Sequence, residues 1–149
     1  NELKNIKVPT TIMTNSAENN GNIFGAVDYL NHKKDIINTG VTIKEYEGGI
    51  SYHGKSMTID DDIAIVGSFN MDMRSAYIDT ELMLVINSKD INKQLKASME
   101  EYEKKAATVK NETEYSHIPE GMKMKELSDK KKNIKAWFGW AMNGLRFLF

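Results

Sequence analysis

The stretch from Tyr52 to Asn70 reads YHGKSMTIDDDIAIVGSFN, and it decides the fold because it predicts a β-hairpin. Two runs rich in apolar and β-branched residues, 51–59 and 63–66, flank an acidic turn at residues 60–62. Runs joined by a short polar turn are typical of neighbouring antiparallel strands. The hairpin is otherwise apolar, so its His, Lys, Ser and Asn residues need an explanation.

Alternation along the strands groups four of these polar side chains. Residues two apart point to the same face, so His53 and Lys55 project together while Gly54 faces away. Ser68 and Asn70 share a face of the return strand in the same way. If the two strands are neighbours, the four side chains line one pocket mouth.

A neutral imidazole beside an ammonium group indicates a site for an anion. Neither group neutralises the other, so the pair is a poor structural contact. Lysine supplies charge, and histidine supplies a nucleophilic or proton-transferring nitrogen. The hydroxyl of Ser68 and the amide of Asn70 can donate to phosphate oxygens. A lone His or Lys in a strand is usually a surface residue, but this whole set at this spacing is not expected by chance.

The remaining sequence predicts an α/β domain with a mixed β-sheet flanked by helices. Further strands are predicted at residues 8–14, 41–47 and 81–86. The last of these is a continuous apolar run, as expected for a strand buried on both faces. Apolar residues at three- and four-residue spacing predict helices over residues 22–38 and 89–107. Residues 108–128 are predicted to be irregular.

Composition limits the class of protein. With 149 residues, 40% of them apolar, the chain is long enough for one domain with a core. The net charge of −1 gives no global attraction to nucleic acid. The absence of cysteine excludes disulfides and thiolate metal sites. The three histidines are too scattered for a zinc site built by local spacing.

The ends of the chain carry no clear targeting signal. No signal peptide and no apolar run of about 18 residues is visible. The chain does not begin with Met, and its first residues lead at once into a predicted strand. We take this start as a processing or cloning boundary, which leaves the targeting of the parent protein open.

The motifs of the hairpin resemble those of the phospholipase D superfamily. HGKSMTID matches the H-x-K-x-x-x-x-D signature of that superfamily, and GSFN matches the G-S-x-N that follows it. The resemblance covers roughly residues 8–100 and continues through TNS at 14–16, GVTIKEYE at 40–47, NMDMRS at 70–75 and DTELMLVI at 79–86. It is strongest to the C-terminal half of bacterial cardiolipin synthase-type or related phospholipase D-like proteins.

The resemblance implies a role for each motif residue. The histidine matching His53 is either the nucleophile that forms a phosphohistidine or the acid that protonates the leaving group. Lys55 and Asn70 would bind the phosphoryl oxygens, and Ser68 would assist them. The matching residues also include a carboxylate, Glu81, that would accept a hydrogen bond from the catalytic histidine.

The remaining motif residue, Asp60, is expected to organise structure rather than act as a base. Its acidic neighbours, Asp61 and Asp62, are typical of a solvated turn. The family chemistry needs no metal and no cofactor, and none is expected here. The chain departs from close relatives at Met73, where Pro is frequent, and at Asp79, where Asn is frequent. Neither position belongs to the proposed phosphate-binding set.

The mechanism of this superfamily requires two histidines on opposite sides of one phosphorus, but the chain carries one H-x-K. His32 and His117 lack the accompanying motif and are expected at the surface. The second half-site must come from a missing N-terminal half or from a second copy of the chain. We therefore expect a phospholipase D-like half-domain at residues 1–108, an irregular connector at 109–129 and a basic amphipathic segment at 130–149.

The C-terminal segment has the composition of an interfacial membrane anchor. It places Lys135, Gly139, Asn143 and Arg146 on one narrow helical stripe, and Trp, Phe, Leu and Met cover the rest. A basic cluster before a Trp-rich helix is typical of peripheral membrane binding. Packing of the same helix on the domain or on the missing half is the alternative.

Three functions compete at this point. The leading one is a phospholipid phosphatidyltransferase or phospholipase, associated peripherally with a membrane. The second is a single-motif nuclease of the same superfamily that dimerises to complete its site. The third is a catalytically silent module for lipid docking or association. The balanced charge and the aromatic tail favour lipid over nucleic acid as the partner.

Overall fold

The computed structural model describes residues 2–142, with side chains described over residues 3–137. The chain divides into two compact units, with boundaries between Tyr52 and His53 and between Glu101 and Tyr102. After a short 3-10 helix at Glu2–Asn5, the elements in chain order are β1 (Thr11–Asn15), α1 (Ile23–Ile37), β2 (Thr42–Tyr46), β3 (Ser56–Ile59), β4 (Ile63–Gly67), α2 (Met73–Tyr77), β5 (Met83–Asn87), α3 (Lys89–Glu103), β6 (Ala106–Val109), β7 (Tyr115–His117) and α4 (Asp129–Met142).

The first unit is built on a four-stranded mixed sheet in the order β1-β2-β6-β7. Strands β1 and β2 are parallel, and α1 makes the crossover between them. The other two pairings are antiparallel. The helix begins where Asn22 accepts hydrogen bonds from the backbone N–H groups of Phe24 and Gly25, both at 3.1 Å.

A buried polar cluster ties α1 to the sheet. Glu45 of β2 is 2% exposed and pairs with the ammonium of Lys33 at 2.8 Å. The hydroxyl of Tyr29 donates to the same carboxylate at 2.6 Å, and Tyr115 of β7 donates to its other oxygen. Burial, together with the neighbouring Glu45 charge, raises the pKa of both tyrosines. The buried charge is thus fully paired, as its burial requires.

The last helix, α4, is held to the first unit by one buried lysine. The ammonium of Lys131 donates to the backbone carbonyls of Ala17, Glu18 and Asn20 at 2.8, 2.6 and 3.0 Å. The N–H of Ser128, just before the helix, donates to the Glu18 carboxylate at 2.9 Å. The first turn of the predicted membrane segment therefore packs on the protein. Asn143 and Arg146 of the predicted polar stripe lie outside the described residues.

The second unit carries the hairpin of the sequence prediction, extended to a three-stranded antiparallel sheet in the order β3-β4-β5. Helix α3 is attached to it through Asn92, which is 1% exposed and donates from Nδ2 to the carbonyl of Ile63 at 2.6 Å. In the described part of the chain, no helix is long and apolar enough to span a bilayer.

The α/β fold class is confirmed, but several details of the prediction were wrong. The strands form two sheets rather than one. Strand β5 lies at a sheet edge, so Leu84 and Val85 are 59% and 61% exposed rather than buried on both faces. The helix predicted over residues 89–107 ends at Glu103, because Ala106 and the residues after it pair with β2. The segment predicted as irregular contains β7.

Candidate active site

The H-x-K segment lies just before the first strand of the hairpin. The predicted strand from residue 51 was too long, since β3 begins at Ser56. The carbonyl of Lys55 nevertheless accepts from the N–H of Gly67 at 3.1 Å, which continues the β3–β4 pairing by one position. This bond places Lys55 beside the start of the G-S-x-N motif.

The structure brings His53 and Lys55 together, as the alternation predicted. The Lys55 ammonium lies 3.3 Å from Nδ1 and 3.2 Å from Nε2 of the His53 ring, and 3.4 Å from the His53 carbonyl oxygen. His53 is exposed and Lys55 is half-buried. A cation beside an accessible imidazole can attract an anion to a nitrogen that is able to attack it or to donate a proton.

Ser68 and Glu81 form a second pair in the same unit. The Ser68 hydroxyl donates to Oε2 of Glu81. The hydroxyl oxygen also accepts from the N–H of Leu82 at 3.1 Å, and the Ser68 N–H donates to the Leu82 carbonyl at 3.0 Å. These bonds fix Glu81 beside the end of β4.

The pKa of Glu81 is lowered from its ordinary value. The largest cause is the hydrogen bond from Ser68, followed by one from Ser75, and the charge of Lys55 adds to the effect. Partial burial and the nearby charge of Asp79 oppose it. Glu81 is therefore a carboxylate at neutral pH, held in the electrostatic neighbourhood of Lys55. Among the described residues no hydrogen bond joins Glu81 to His53, although the resemblance implied one.

Ser75 was not among the predicted residues, but it lies next to two of them, Asn70 and Glu81. It is 6% exposed, accepts at Oγ from the N–H of Asn70 at 3.2 Å, and helps to lower the Glu81 pKa. Asp72 holds it in place by accepting from the Ser75 N–H at 2.7 Å, as the N-cap of α2. An Asp directly before a helix is a common N-cap, so Asp72 is the signal that could have revealed this bond.

Gly67 allows the two strands of this site to approach each other. A Cβ at this position would lie 2.1 Å from the carbonyl oxygen of Leu82 and 2.4 Å from Sδ of Met83. No side chain fits there. The glycine of the G-S-x-N motif thus sets the close contact between β4 and β5 that joins Ser68 to Glu81.

Asp60 lies away from the other motif residues, at the opposite end of β3 from Lys55. It adopts a left-handed φ of 47° in the turn between β3 and β4. Lys96 of α3 braces this turn by donating to the Asp60 carbonyl at 2.5 Å and to the Asp61 carboxylate at 2.8 Å. The organising role that the resemblance implies for Asp60 stays a prediction.

The other two histidines stand apart from the motif. His32 lies on α1, where Nδ1 is 2.9 Å from the carbonyl of Asp28 and 3.3 Å from its carboxylate. His117 is exposed in β7. Both belong to the first unit, which does not contain His53.

Comparison with known proteins identifies the family of this chain. Residues 1–102 match the family described as "Cardiolipin synthase, PLD-like domain". Cardiolipin synthase A of Wigglesworthia glossinidia brevipalpis is 35% identical over 68 residues, which are 46% of this chain and 14% of that protein. Cardiolipin synthase A of Yersinia pestis bv. Antiqua (strain Angola) is 33% identical over 78 residues, 52% of this chain and 16% of that protein. The chain thus spans a small part of the length of these relatives.

A solved structure has the same fold. It is the phospholipase D family member Nuc from Salmonella typhimurium, with a TM-score of 0.52, 17% sequence identity, and coverage of 68% of this chain and 64% of that chain. At this identity the likeness shows the fold alone. The family match over residues 1–102, more than half of the sequence, shows that this chain belongs to the family described as cardiolipin synthase, phospholipase D-like domain.

Proposed function

We propose that the chain is a phosphodiester-processing half-domain, and that its parent is a phospholipid phosphatidyltransferase or phospholipase D. The observation that carries this proposal is the Lys55 ammonium at 3.2 and 3.3 Å from the two ring nitrogens of His53. A structural lysine would be expected to pair with a carboxylate. Here the cation is left beside an exposed imidazole, where a phosphodiester anion can be bound by one group and attacked or protonated by the other.

The proposed reaction has two steps. A histidine nitrogen attacks phosphorus, forming a P–N bond, while the P–O bond to the leaving group breaks and a second histidine donates a proton to that oxygen. An alcohol or water then attacks phosphorus, the P–N bond breaks, and the second histidine takes up the proton of the attacking hydroxyl. His53 is one of these two histidines. The other comes from a further half of the parent protein or from a second copy of the chain.

The other groups of the site bind the phosphate or hold its ligands in place. Lys55 neutralises charge on the phosphoryl oxygens, and Ser68 and Asn70 supply hydrogen-bond donors. Glu81 balances the positive charge that accumulates near Lys55 and holds the Ser68 hydroxyl in place. The partner is a phospholipid at a membrane surface, to which the basic segment from residue 130 would attach the protein.

Turnover by the full-length parent tests this function. We expect it to convert phosphatidylglycerol or phosphatidylcholine in mixed micelles, and His53→Ala to lower the rate by at least about 10²–10⁴-fold, because one chemical group of the reaction is lost. The chain of 149 residues alone should be nearly inactive. His32→Ala is the matched control and should retain the rate of the parent.

Two other outcomes would replace the proposal. Cleavage of plasmid DNA without conversion of lipid, lost in His53→Ala, would indicate the dimeric nuclease. If the full-length parent and its His53→Ala variant both bind lipid and neither turns it over, the protein is a catalytically silent docking module.

A further inference from the structure

The TNS segment at residues 14–16 belongs to the family resemblance, but the proposed chemistry gives it no role. Its asparagine, Asn15, ends β1 and is 9% exposed. Both polar atoms of its amide engage the backbone of one residue. Oδ1 accepts from the Tyr52 N–H at 2.7 Å, and Nδ2 donates to the Tyr52 carbonyl at 2.7 Å. A side-chain amide paired in both directions holds that backbone as a neighbouring strand would.

A second buried asparagine holds the residues just before Tyr52. Asn19 is 7% exposed and accepts at Oδ1 from the N–H of Gly49 at 3.1 Å. Its Nδ2 lies 3.2 Å from both the Ile50 carbonyl and Oδ1 of Asn15. No helix or strand forms between the end of β2 and Ser56. The two asparagines therefore supply hydrogen bonds that regular structure would otherwise provide here.

The ring of Tyr52 adds a third restraint inside the first unit. Its centroid is 4.7 Å from that of Tyr102 and 6.1 Å from that of Tyr46. Aromatic pairs at these separations are favourable. Tyr52 is thus held by its N–H, its carbonyl and its side chain.

The Tyr52 carbonyl shares a planar peptide group with the nitrogen of His53. The hydrogen bond from Asn15 Nδ2 therefore orients the peptide plane from which the His53 residue departs. We propose that Asn15, assisted by Asn19, is a positioning residue for His53. The catalytic meaning of this inference rests on the proposed function. The hydrogen bonds of Asn15 and Asn19 to residues 49–52, here called the clamp, can be measured without turnover.

Asn15→Leu removes both amide bonds and keeps the branched outline of the side chain, and Asn19→Leu is the second variant in case the first does not fold. The matched control is Asn92→Leu, which removes a buried amide bond to the Ile63 carbonyl. In the 149-residue chain, we expect the Tyr52 N–H in Asn15→Leu, and the Gly49 N–H in Asn19→Leu, to exchange about tenfold faster with solvent. Both variants should shift the imidazole NMR resonances of His53. Asn92→Leu should leave these resonances and the exchange of the Tyr52 and Gly49 N–H groups unchanged.

In the full-length parent, we expect Asn15→Leu to lower kcat by up to about 10²-fold with little change in KM, since misplacement of a reacting group has this effect. Unchanged Tyr52 exchange in Asn15→Leu, or the same His53 shift and kcat loss in Asn92→Leu, would overturn the inference. If the wild-type parent shows no turnover, the proposed function fails, and the exchange and His53 signals still decide whether the clamp exists.

Discussion

Gly67 is the residue on which the contact between β4 and β5 depends. A Cβ there would lie 2.1 Å from a backbone oxygen, that of Leu82, which cannot give way as a side chain can. We expect Gly67→Ala to lower the free energy of unfolding by about 1–3 kcal/mol or more, the usual cost of overpacking. Urea denaturation of the two proteins measures this difference.

Gly21→Ala is the control for that substitution. A Cβ at Gly21 would meet its nearest atom, Cβ of Ser51, at 3.7 Å, which is ordinary contact. Its free energy of unfolding should remain close to that of the wild type. An equal loss in the two variants would show that close approach at Gly67 is not the cause.

Glu81 carries a pH dependence whose sign follows from its lowered pKa. Its contribution to stability is present above the ordinary carboxyl pKa of the unfolded chain, and it is lost as the pH falls through the folded-state pKa. Ser68→Ala should raise the Glu81 pKa towards its ordinary value, because the largest cause of the shift is removed. Carbon-13 NMR titration of the Glu81 carboxyl measures this pKa in both proteins.

The control for this titration is Ser116→Ala, which removes an exposed hydroxyl that donates to the Thr108 carbonyl. This control should leave the Glu81 titration unchanged. A Glu81 pKa that stays equally low in Ser68→Ala would refute the assignment of that pKa to the hydroxyl bond.

Among the secondary-structure elements, the hairpin and α1 were predictable because their signals are local. Spacing alone located α1 to within a residue at each end and paired His53 with Lys55. Strand β6 was not predictable in this way, since the alanines at its start are good helix formers and form a strand only by pairing with β2. Ser75 was missed for a related reason. Its effect depends on Glu81, and Glu81 comes close to the end of β4 only because β5 pairs with that strand.

Helix α4 provides a prediction about membrane binding. Lys131 is committed to three backbone carbonyls, whereas Lys130, Lys132 and Lys135 are exposed and Trp137 is 81% exposed. We expect the exposed lysines to attract anionic vesicles by about 1 kcal/mol each. Their combined replacement by Gln should weaken co-sedimentation with phosphatidylglycerol vesicles by roughly two orders of magnitude.

The matched control replaces three exposed lysines elsewhere, Lys89, Lys93 and Lys110, by Gln, so that net charge changes equally. This variant should bind the vesicles as the wild type does. Equal weakening in both triple variants would assign the effect to overall charge, and the proposal of a membrane segment in α4 would have to be abandoned.

For the molecule as a whole, the sequence predicted the contact between His53 and Lys55 more fully than the arrangement of the sheets. The H-x-K residues directly precede β3, and the G-S-x-N motif begins at the last residue of β4. Alternation and short spacing therefore suffice to group His53 with Lys55. The division of the strands into two sheets depends on pairings between distant segments, such as β2 with β6. Local patterns carry no information on such pairings.

The proposed function requires that the unit from His53 to Glu101 contain a phosphate-binding site of its own. An NMR titration of the 149-residue chain with inorganic phosphate tests it most directly, because binding does not require the second half-site. We predict saturable shifts centred on His53, Lys55, Ser68 and Asn70, abolished by Lys55→Gln and retained in Lys110→Gln. Shifts confined to the lysines of α4, or unchanged binding in Lys55→Gln, would contradict the account.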